Sequence, residues 1–206
     1  MKDDRARRRL DGARPDDAFQ VFSRETKFQG RVVGVSIDHI RLPNGHETRY
    51  ETLHLPSAVC VVPLLDLSDG RKEVVLVDQF RSSVGGYIHE IPAGILEEGE
   101  DPAACAGREL IEETGYTAAR ITHLATLYPL PGTSAHTMHY YLAEGLTPGA
   151  QALEAAECLT VKKFPLETLL EALLRGGPPA IVDAKTHIGL LHTALRLGIT
   201  LKRSTQ

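Results

Sequence analysis

The chain has 206 residues, of which 42% are hydrophobic and 24% are charged, and its formal net charge at pH 7 is −4. This is the composition of an ordinary soluble protein without the basic excess typical of nucleic-acid binding, so we expect no nucleic-acid partner. No apolar run approaches the roughly 18 residues of a membrane span, and the N-terminal residues lack the apolar core of a signal peptide, so we expect no membrane contact and a cytoplasmic location.

Three segments are predicted from charge and periodicity. Residues 1–18 mix both charges with few apolar side chains and predict a flexible tail. Residues 19–56 are assigned to an N-terminal β-sheet element, and residues 57–200 to the main domain. Three cysteines, Cys60, Cys105 and Cys158, are far apart and without a C-x-x-C pair, which predicts reduced, structural thiols.

The N-terminal segment contains a predicted β-hairpin that begins near Phe28. Val33, Val35 and Ile37 alternate with small or polar residues, and Asn44-Gly45 supplies a tight turn. A lone hairpin is marginally stable in water. We therefore expect it to pack on the main domain or on a second copy of the chain.

Two β-branched runs, residues 58–67 and 73–81, flank a Ser68-Asp69-Gly70 turn and predict central strands of the main sheet. Further along, a strand, a Pro131-Gly132 loop and a strand over 137–143 are expected. Residues 145–160 are assigned to a loop that leads into the strand-like LTVKKF. Two helices close the chain: the first ends at Gly176-Gly177, and the second begins near Asp183 with Ile188, Leu191 and Leu195 on one face.

Glutamates crowd the stretch from Gly94 to Tyr116. Asp101 is the expected N-cap of a helix, Pro102 suits its first position, and Gly115 suits the left-handed residue that ends it. At 100° per residue, three glutamates share one arc that we expect to point away from the core: Glu109, Glu112 and Glu113. The other side is assigned to the core: Ala103, Ala104, Ala106, Gly107, Leu110 and Ile111.

Carboxylates three and four residues apart repel one another, so the acidic stripe indicates either a solvated face or a cation opposite it. Oxygen-only ligands favour Mg²⁺ or Mn²⁺ over Zn²⁺. A soft thiolate from Cys105, one turn before Glu109, would be a poor partner for such a hard cation.

The spacing of this stretch resembles the Nudix box, G-x5-E-x7-R-E-U-x-E-E-x-G-U, where U is a bulky apolar residue. The matching residues are Gly94, Glu100, Arg108, Glu109, Leu110, Glu112, Glu113, Gly115 and Tyr116. The resemblance implies a Nudix hydrolase of the α/β (α+β) class, which splits a nucleoside diphosphate linked to another group. It also implies a mixed β-sheet sandwiched between helices, with an N-terminal antiparallel sheet through which relatives often form homodimers.

The resemblance also assigns roles within the box. The Ala93 carbonyl, Glu109 and Glu113 are expected to hold divalent metal, with Mg²⁺ as the expected cofactor and Mn²⁺ as the alternative. Glu112 is expected to join them directly or through water. Arg108 is expected to orient a carboxylate through a charge-assisted hydrogen bond.

Motifs outside the box resemble the ADP-ribose pyrophosphatase branch of the family. These are DQFR at 78–81, GGYIHEIPAG at 85–94, PGTS at 131–134, YYLAEGLTPG at 140–149 and DAKT at 183–186. The implied reaction is hydrolysis of ADP-ribose to AMP and ribose 5-phosphate. Branches acting on UDP-glucose, GDP-mannose or oxidised nucleoside diphosphates share some of these motifs, and a non-catalytic ADP-ribose-binding regulator is the alternative of another class.

Four residues match family positions that face the substrate. Arg81 and Glu90 are expected at the diphosphate, where a guanidinium can clamp an oxygen pair, although Arg81 could instead form an ion pair at the rim. Tyr50 matches a position where relatives place an aromatic ring against adenine. Phe28 is either a second wall of that site or part of the hairpin core.

Two loops complete the expected site. The first contributes Gly132 and His136, where some relatives have a glutamate. The second supplies the general base, because direct coordination lowers the basicity of the box glutamates. Glu157 is the closest match for that base, Glu154 is the alternative, and His136 is the third candidate; both glutamates could instead be solvated loop charges.

Overall fold

A computed structural model describes residue 10, residues 16–155 and residues 157–200 of the chain. The predicted tail therefore lies largely outside the described residues. The strands are β1 (Gln20–Gln29), β2 (Gly34–Arg41), β3 (Glu47–His54), β4 (Ala58–Asp66), β5 (Lys72–Arg81), β6 (Gly86–Glu90), β7 (Ala93–Ile95), β8 (Tyr116–Leu127), β9 (Met138–Pro148) and β10 (Leu159–Pro165). The helices are α1 (Pro102–Thr114), α2 (Leu166–Arg175) and α3 (Ala184–Arg196).

The chain divides into two compact units. The first contains the N-terminal residues as far as Ser57 together with Thr126–Met138, and the second contains Ala58–Ala125 and the residues from His139 onward. The helices that the structure describes are too short and too polar to cross a membrane.

The first unit is built on a three-stranded antiparallel sheet in the order β1-β2-β3. Strands β2 and β3 form the predicted hairpin, and Gly45 in the turn has a positive φ of 84°. Strand β1 extends the sheet beyond the hairpin. Its sequence, QVFSRETKFQ, is mostly exposed, so pairing with β2 rather than an apolar pattern defines it as a strand.

This sheet buries a polar face. The buried positions of β2 are Gly34, Ser36, Asp38 and Ile40, whereas Val33, Val35 and Ile37 lie on the more exposed side. Asp38 is fully buried. Its carboxylate accepts hydrogen bonds from Arg24 Nε at 2.7 Å and from the Ser36 and Thr52 hydroxyls at 2.9 and 3.2 Å. Such pairing is what makes a buried charge tolerable.

The second unit contains a seven-stranded sheet in the order β10-β5-β4-β9-β8, with β6 paired to β5 and β7 paired to β4. Strands β4 and β5 are almost wholly buried, as their β-branched sequences predict. Strand β9 continues to Pro148, past its predicted end at residue 143, and shortens the predicted loop.

Helices cover both faces of this sheet. Val61 of β4 packs in a core cluster with Cys105 and Leu110 of α1. Its neighbour Val62 contacts α3, where a Cβ added to Gly189 would lie 2.9 Å from Val62 Cγ2. Because successive side chains of a strand point to opposite faces, α1 and α3 lie on opposite sides of the sheet.

The predicted ends of α1 are confirmed, but the predicted division of its faces is wrong in part. Ile111 is 39% exposed, and Ala104 is exposed too. Glu109 and Glu113, expected to point away from the core, are only 7% and 4% exposed. Cys105 is also buried, within the core cluster. Only part of the apolar side of α1 therefore packs against the sheet. The side that also carries Glu109 and Glu113 is buried together with these carboxylates.

In the last two helices, too, the apolar periodicity predicts the buried face only in part. The leucine stripe of α2 is buried at Leu166, Leu169 and Leu170. In α3 the predicted apolar face is the outer one, with Leu191 37% and Leu195 74% exposed. The buried face consists of smaller side chains together with Leu190: Thr186, Gly189, Thr193 and Ala194. Close packing of α3 on the sheet at Gly189 explains this choice.

Candidate active site

The capping residues of α1 define both of its ends. Asp101 Oδ1 accepts hydrogen bonds from the backbone N–H groups of Ala103 and Ala104 at 3.0 Å. At the other end, Gly115 has a positive φ of 74°, and its N–H donates to the Ile111 carbonyl. Helix α1 packs against β7 and β4, so its carboxylates meet the backbone around Ala93 and Gly94.

Glu109 occupies the space next to Gly94. A Cβ built on Gly94 would lie 1.8 Å from Glu109 Oε1 and 2.3 Å from Oε2. Only glycine allows this approach between a strand backbone and a carboxylate. Burial raises the pKa of Glu109, while the neighbouring Arg108 guanidinium acts in the opposite direction.

Glu113 is buried one turn further along α1. Its Oε2 accepts a hydrogen bond from the Ala93 N–H at 3.2 Å. Burial raises the pKa of Glu113 to about 8; the Ala93 N–H opposes this shift, whereas the carboxylates of Glu109 and Glu157 add to it. The acidic cluster is therefore electrostatically costly, because its members are both desolvated and mutually repulsive.

Arg108 ties three of the box glutamates together. Its Nε donates to Glu100 Oε1 at 3.0 Å, and its Nη1 donates to Glu109 Oε1 at 2.7 Å and to Glu112 Oε2 at 2.9 Å. The hydrogen bond from Arg108 lowers the pKa of Glu100 to about 2. Nη2 also donates to the Ile95 carbonyl at 3.3 Å, so the guanidinium links α1 to the end of β7.

The donor atoms fit a hard divalent cation. They are the carboxylates of Glu109, Glu112 and Glu113 and the carbonyl of Ala93, and oxygen is the ligand that Mg²⁺ and Mn²⁺ prefer. Two buried carboxylates that repel each other also favour a compensating cation. Among the described residues, however, no three His, Cys, Asp or Glu side chains lie close enough together to hold a metal ion. In the structure, Arg108 engages Glu109 and Glu112 instead.

A second cluster lies where β5 and β6 pair. Arg81 Nε and Nη2 donate to the two carboxylate oxygens of Glu90 at 2.7 and 2.6 Å. Glu90 is 1% exposed, and its hydrogen bonds raise the pKa of Arg81. Lys185 and Asp183 complete the cluster, since Lys185 Nζ contacts Glu90 Oε2 and lies 3.0 Å from Asp183 Oδ2. Both residues belong to the DAKT motif, but sequence reasoning gave them no role.

The loop that carries the two candidate bases is attached to the end of α1. Gln151 Nε2 donates to the Glu113 carbonyl at 2.6 Å, and the Ala152 N–H donates to the Glu112 carbonyl at 3.0 Å. Further along, Glu157 Oε2 accepts from the Glu154 N–H at 2.7 Å. The charge of Glu157 makes a small further contribution to the raised pKa values of Glu109 and Glu113.

The other predicted site residues belong to the first unit. Tyr50, 48% exposed, and Gly132 line a cavity of about 250 Å³. The buried Asp38 also lines this cavity. His136 Nδ1 lies 2.9 Å from Ser134 Oγ, and partial burial lowers the pKa of His136.

Phe28 is 56% exposed, so it is not part of a hairpin core. The alternative that assigned Phe28 to core packing is therefore wrong. The ring instead lies over the turn between β1 and β2, where a Cβ added to Gly30 would be 2.9 Å from Phe28 Cε1.

Comparison with known proteins identifies the family. The model of the NUDIX domain matches residues 54–184. An ADP-ribose pyrophosphatase of Bacillus subtilis (strain 168) is 35% identical over 86% of this chain and 93% of its own length. A methanol dehydrogenase activator of Bacillus methanolicus is 37% identical over 84% of this chain and 90% of its own length.

A solved structure has the same fold. The crystal structure of an ADP compounds hydrolase superposes with a TM-score of 0.76 at 23% sequence identity, over 91% of this chain and all of the other. The predicted fold is thereby confirmed: a mixed sheet between helices with an N-terminal antiparallel sheet. The family match, the relatives and the acidic helix agree, and the chain belongs to the Nudix family of hydrolases.

Proposed function

We propose that this Nudix hydrolase cleaves the diphosphate of ADP-ribose, or of a related ADP-sugar, to AMP and ribose 5-phosphate, with Mg²⁺ as cofactor and Mn²⁺ as the alternative. The observation that carries the proposal is the enclosure of Glu109 and Glu113 against the backbone of Ala93 and Gly94. Buried like charges destabilise a fold unless a cation compensates them. The substrate is supported by the name of the Bacillus subtilis relative.

The proposed metal ligands are the Ala93 carbonyl, Glu109, Glu112 and Glu113. When bound there, a divalent cation would neutralise charge that develops at phosphorus and make the attacking water more acidic. Arg108 has a positioning role in this proposal, because it holds the carboxylates of Glu109 and Glu112 at hydrogen-bonding distance.

Arg81 is the proposed contact for the substrate diphosphate. Its side chain is 42% exposed, whereas that of Glu90 is only 2% exposed. Glu90 uses Nε and Nη2 of the guanidinium, which leaves Nη1 for an anionic ligand. A planar guanidinium fixed from one side in this way is well suited to phosphate oxygens.

Glu157 is the proposed general base, with Glu154 as the alternative and His136 as the third candidate. The carboxylate of Glu157 accepts a hydrogen bond from the Glu154 backbone N–H, and a carboxylate has further lone pairs that can take a proton. In the first unit, the cavity beside Tyr50 supports adenine stacking on that ring, with Gly132 from its lining and His136 from the same loop. Phe28 lies outside this lining, because it pairs with Val35 on the side of the sheet opposite to Asp38, so the second wall of the adenine site is not assigned to it.

A homodimer formed through the N-terminal sheet and a cytoplasmic location complete the proposal. Both rest on the sequence and on the family resemblance. The dimer is further supported by the exposed apolar side of the sheet, where Val33 is 37% exposed.

One substrate panel tests the function. The purified chain is incubated with Mg²⁺ and ADP-, UDP-, GDP- and CDP-linked sugars, and the products are identified by chromatography. We expect AMP and ribose 5-phosphate from ADP-ribose, with the highest kcat/KM in the panel. A higher kcat/KM for UDP-glucose or GDP-mannose would assign the chain to another branch of the family. Tight calorimetric binding of ADP-ribose without AMP formation would instead support a regulator that binds without hydrolysis.

A further inference from the structure

Lys185 is a largely enclosed cation without an assigned role. Its side chain is 12% exposed, and lysine is seldom buried this far unless it is paired. Its ammonium contacts Glu90 Oε2 and lies 3.0 Å from Asp183 Oδ2. Lys185 therefore connects the start of α3 to the end of β6.

Glu90 is held from two sides by different cations. Its Oε1 accepts from Arg81 Nε, and its Oε2 accepts both from Arg81 Nη2 at 2.6 Å and from Lys185 Nζ. Because Lys185 and Arg81 share one oxygen, the ammonium sets the orientation of the carboxylate. That carboxylate in turn sets the plane of the Arg81 guanidinium.

The far end of this chain of contacts is held by further hydrogen bonds. Asp183 is the N-cap of α3, and its carboxylate accepts from the Thr186 N–H at 2.9 Å and from the Thr186 hydroxyl at 2.6 Å. The same hydroxyl accepts from the Ile91 N–H at 2.9 Å, next to Glu90. Thr186 is completely buried. The start of α3 and the end of β6 are thus joined both through Thr186 and through Lys185.

The charges of the cluster add a second argument. Arg81 and Glu90 alone would form a neutral pair, and a neutralised guanidinium attracts a diphosphate only weakly. Lys185 shares the negative charge of Glu90, so Arg81 keeps more of its positive charge for a ligand. Asp183 also acts on Arg81, whose pKa its charge helps to raise after the larger effect of Glu90, but the N-terminus of α3 stabilises part of the Asp183 charge.

We infer that Lys185 is a positioning residue for substrate binding, which acts through Glu90 on the guanidinium of Arg81. The inference rests on the proposed function, in which Arg81 contacts the diphosphate. The DAKT motif thereby receives a role, which is to orient Arg81. Lys185 and Arg81 are 104 positions apart in the sequence (185 − 81).

A double-mutant cycle tests the inference with the full-length protein. Lys185→Met is expected to raise KM for ADP-ribose about 10-fold while kcat changes less than about 3-fold, because ground-state binding of the anion is weakened. In the Arg81→Lys background, which lacks the planar fork, the same change should raise KM by about 2-fold or less. Equal effects of Lys185→Met in both backgrounds would overturn the inference, because a purely structural lysine acts independently of Arg81.

Two further variants keep the test decisive if Lys185→Met folds poorly. Lys185→Arg retains the charge and should return KM to within about 3-fold of the wild-type value. Asp183→Asn keeps an N-cap of similar quality but removes the ion pair that fixes the position of Lys185, so it should raise KM with little change in unfolding temperature. Because the same change makes the cluster more positive, which by itself would strengthen anion binding, a rise in KM reports lost positioning. If neither Lys185→Met nor Asp183→Asn raises KM, the inference is wrong.

Failure of the proposed function would look different. In that case the wild-type protein would release no AMP from ADP-ribose, and the cycle would be run on the nucleoside diphosphate sugar that it hydrolyses fastest. If the wild type hydrolyses ADP-ribose but Lys185→Met has the same effect with Arg81 as in the Arg81→Lys background, only the role of Lys185 is contradicted.

Discussion

The carboxylate of Glu109 occupies the space that a side chain at Gly94 would need: a Cβ on Gly94 would lie 1.8 Å from Oε1 and 1.9 Å from Cδ of Glu109. The clashing atoms are the end of a flexible side chain rather than backbone. A methyl group at position 94 would therefore displace the carboxylate and leave the strand in place. Glycine at this position serves the acidic site more than the fold.

Gly94→Ala should accordingly reduce activity without unfolding the protein. We expect kcat/KM to fall by about 10²-fold, the effect of moving a catalytic group by about 1 Å, with little change in unfolding temperature. Gly86→Ala is the matched control, since a Cβ at Gly86 meets nothing within 4 Å. Full activity of Gly94→Ala would show that Glu109 does not need its observed position.

The enclosed carboxylates give a second prediction. Glu113→Gln and Glu109→Gln should each lower kcat by about 10²-fold or more, since each removes a charged metal ligand. Without added metal, unfolding temperatures should stay equal or rise. For Glu113→Gln the rise should be clearest above pH 8, because only there does the raised pKa of Glu113 let the buried carboxyl ionise, so that the amide replaces a buried charge.

Addition of Mg²⁺ should raise the unfolding temperature of the wild type but not of Glu113→Gln, because a ligand stabilises only the state that binds it. The control is Glu98→Gln, which changes an exposed glutamate in the same acidic stretch. Equal stabilisation of the wild type and Glu113→Gln by Mg²⁺ would remove Glu113 from the ligand set.

Features encoded by local chemistry could be predicted from the sequence. The N-cap at Asp101 and the left-handed Gly115 fix both ends of α1, and short-range hydrogen bonds determine them. The β4–β5 and β2–β3 hairpins follow from turn residues between alternating or β-branched runs. In each case the residues that decide the structure are neighbours in the chain.

Features decided by packing partners could not be predicted. Periodicity places Leu191 and Leu195 on one face of α3, but only the close fit of Gly189 to the sheet shows that this face is the outer one. Glu113 is enclosed because the Ala93 N–H, 20 positions earlier, binds it. The contact between Lys185 and Glu90 likewise joins residues 95 positions apart. No pattern within one element carries such information.

The N-terminal sheet leads to a prediction about assembly. Phe28 and Leu53 both pair with Val35, so an apolar row crosses all three strands. Phe28 is 56% exposed. Since such a row is poorly accommodated in water, we expect a homodimer at micromolar concentration. Light scattering should give twice the mass of the chain.

Val35→Asp should shift this equilibrium toward the monomer, because a charge in the apolar row would lose its solvation at the interface. Asn44→Asp adds the same charge in the exposed β2–β3 turn and should leave the mass unchanged. A wild-type chain that is monomeric at micromolar concentration would refute the dimer.

The final prediction concerns the proton acceptor. Glu157 lies in a loop whose first residues are fixed to α1 by the bonds from Gln151 and Ala152, and its carboxylate influences the pKa of Glu113. The loop of Glu157 is thus attached to the helix that carries the proposed ligands, and Glu157 does not belong to the proposed ligand set. The contacts of Glu154 with Glu157 use the backbone of Glu154, whose N–H donates to Glu157 Oε2 and whose carbonyl accepts from the Glu157 N–H, and no side-chain substitution at position 154 removes these groups.

We therefore expect Glu157→Gln to lower kcat by about 10²–10⁴-fold, the usual contribution of a positioned acid or base, with Mg²⁺ affinity nearly unchanged. Glu154→Gln should cost much less, because it leaves the loop contact in place and removes only an exposed charge. His136→Ala completes the comparison under saturating substrate, with Mg²⁺ affinity measured by titration for each variant. If only the histidine variant loses turnover, the loop glutamate is not the base; if Glu157→Gln weakens Mg²⁺ binding as strongly as Glu113→Gln, Glu157 is a metal ligand instead.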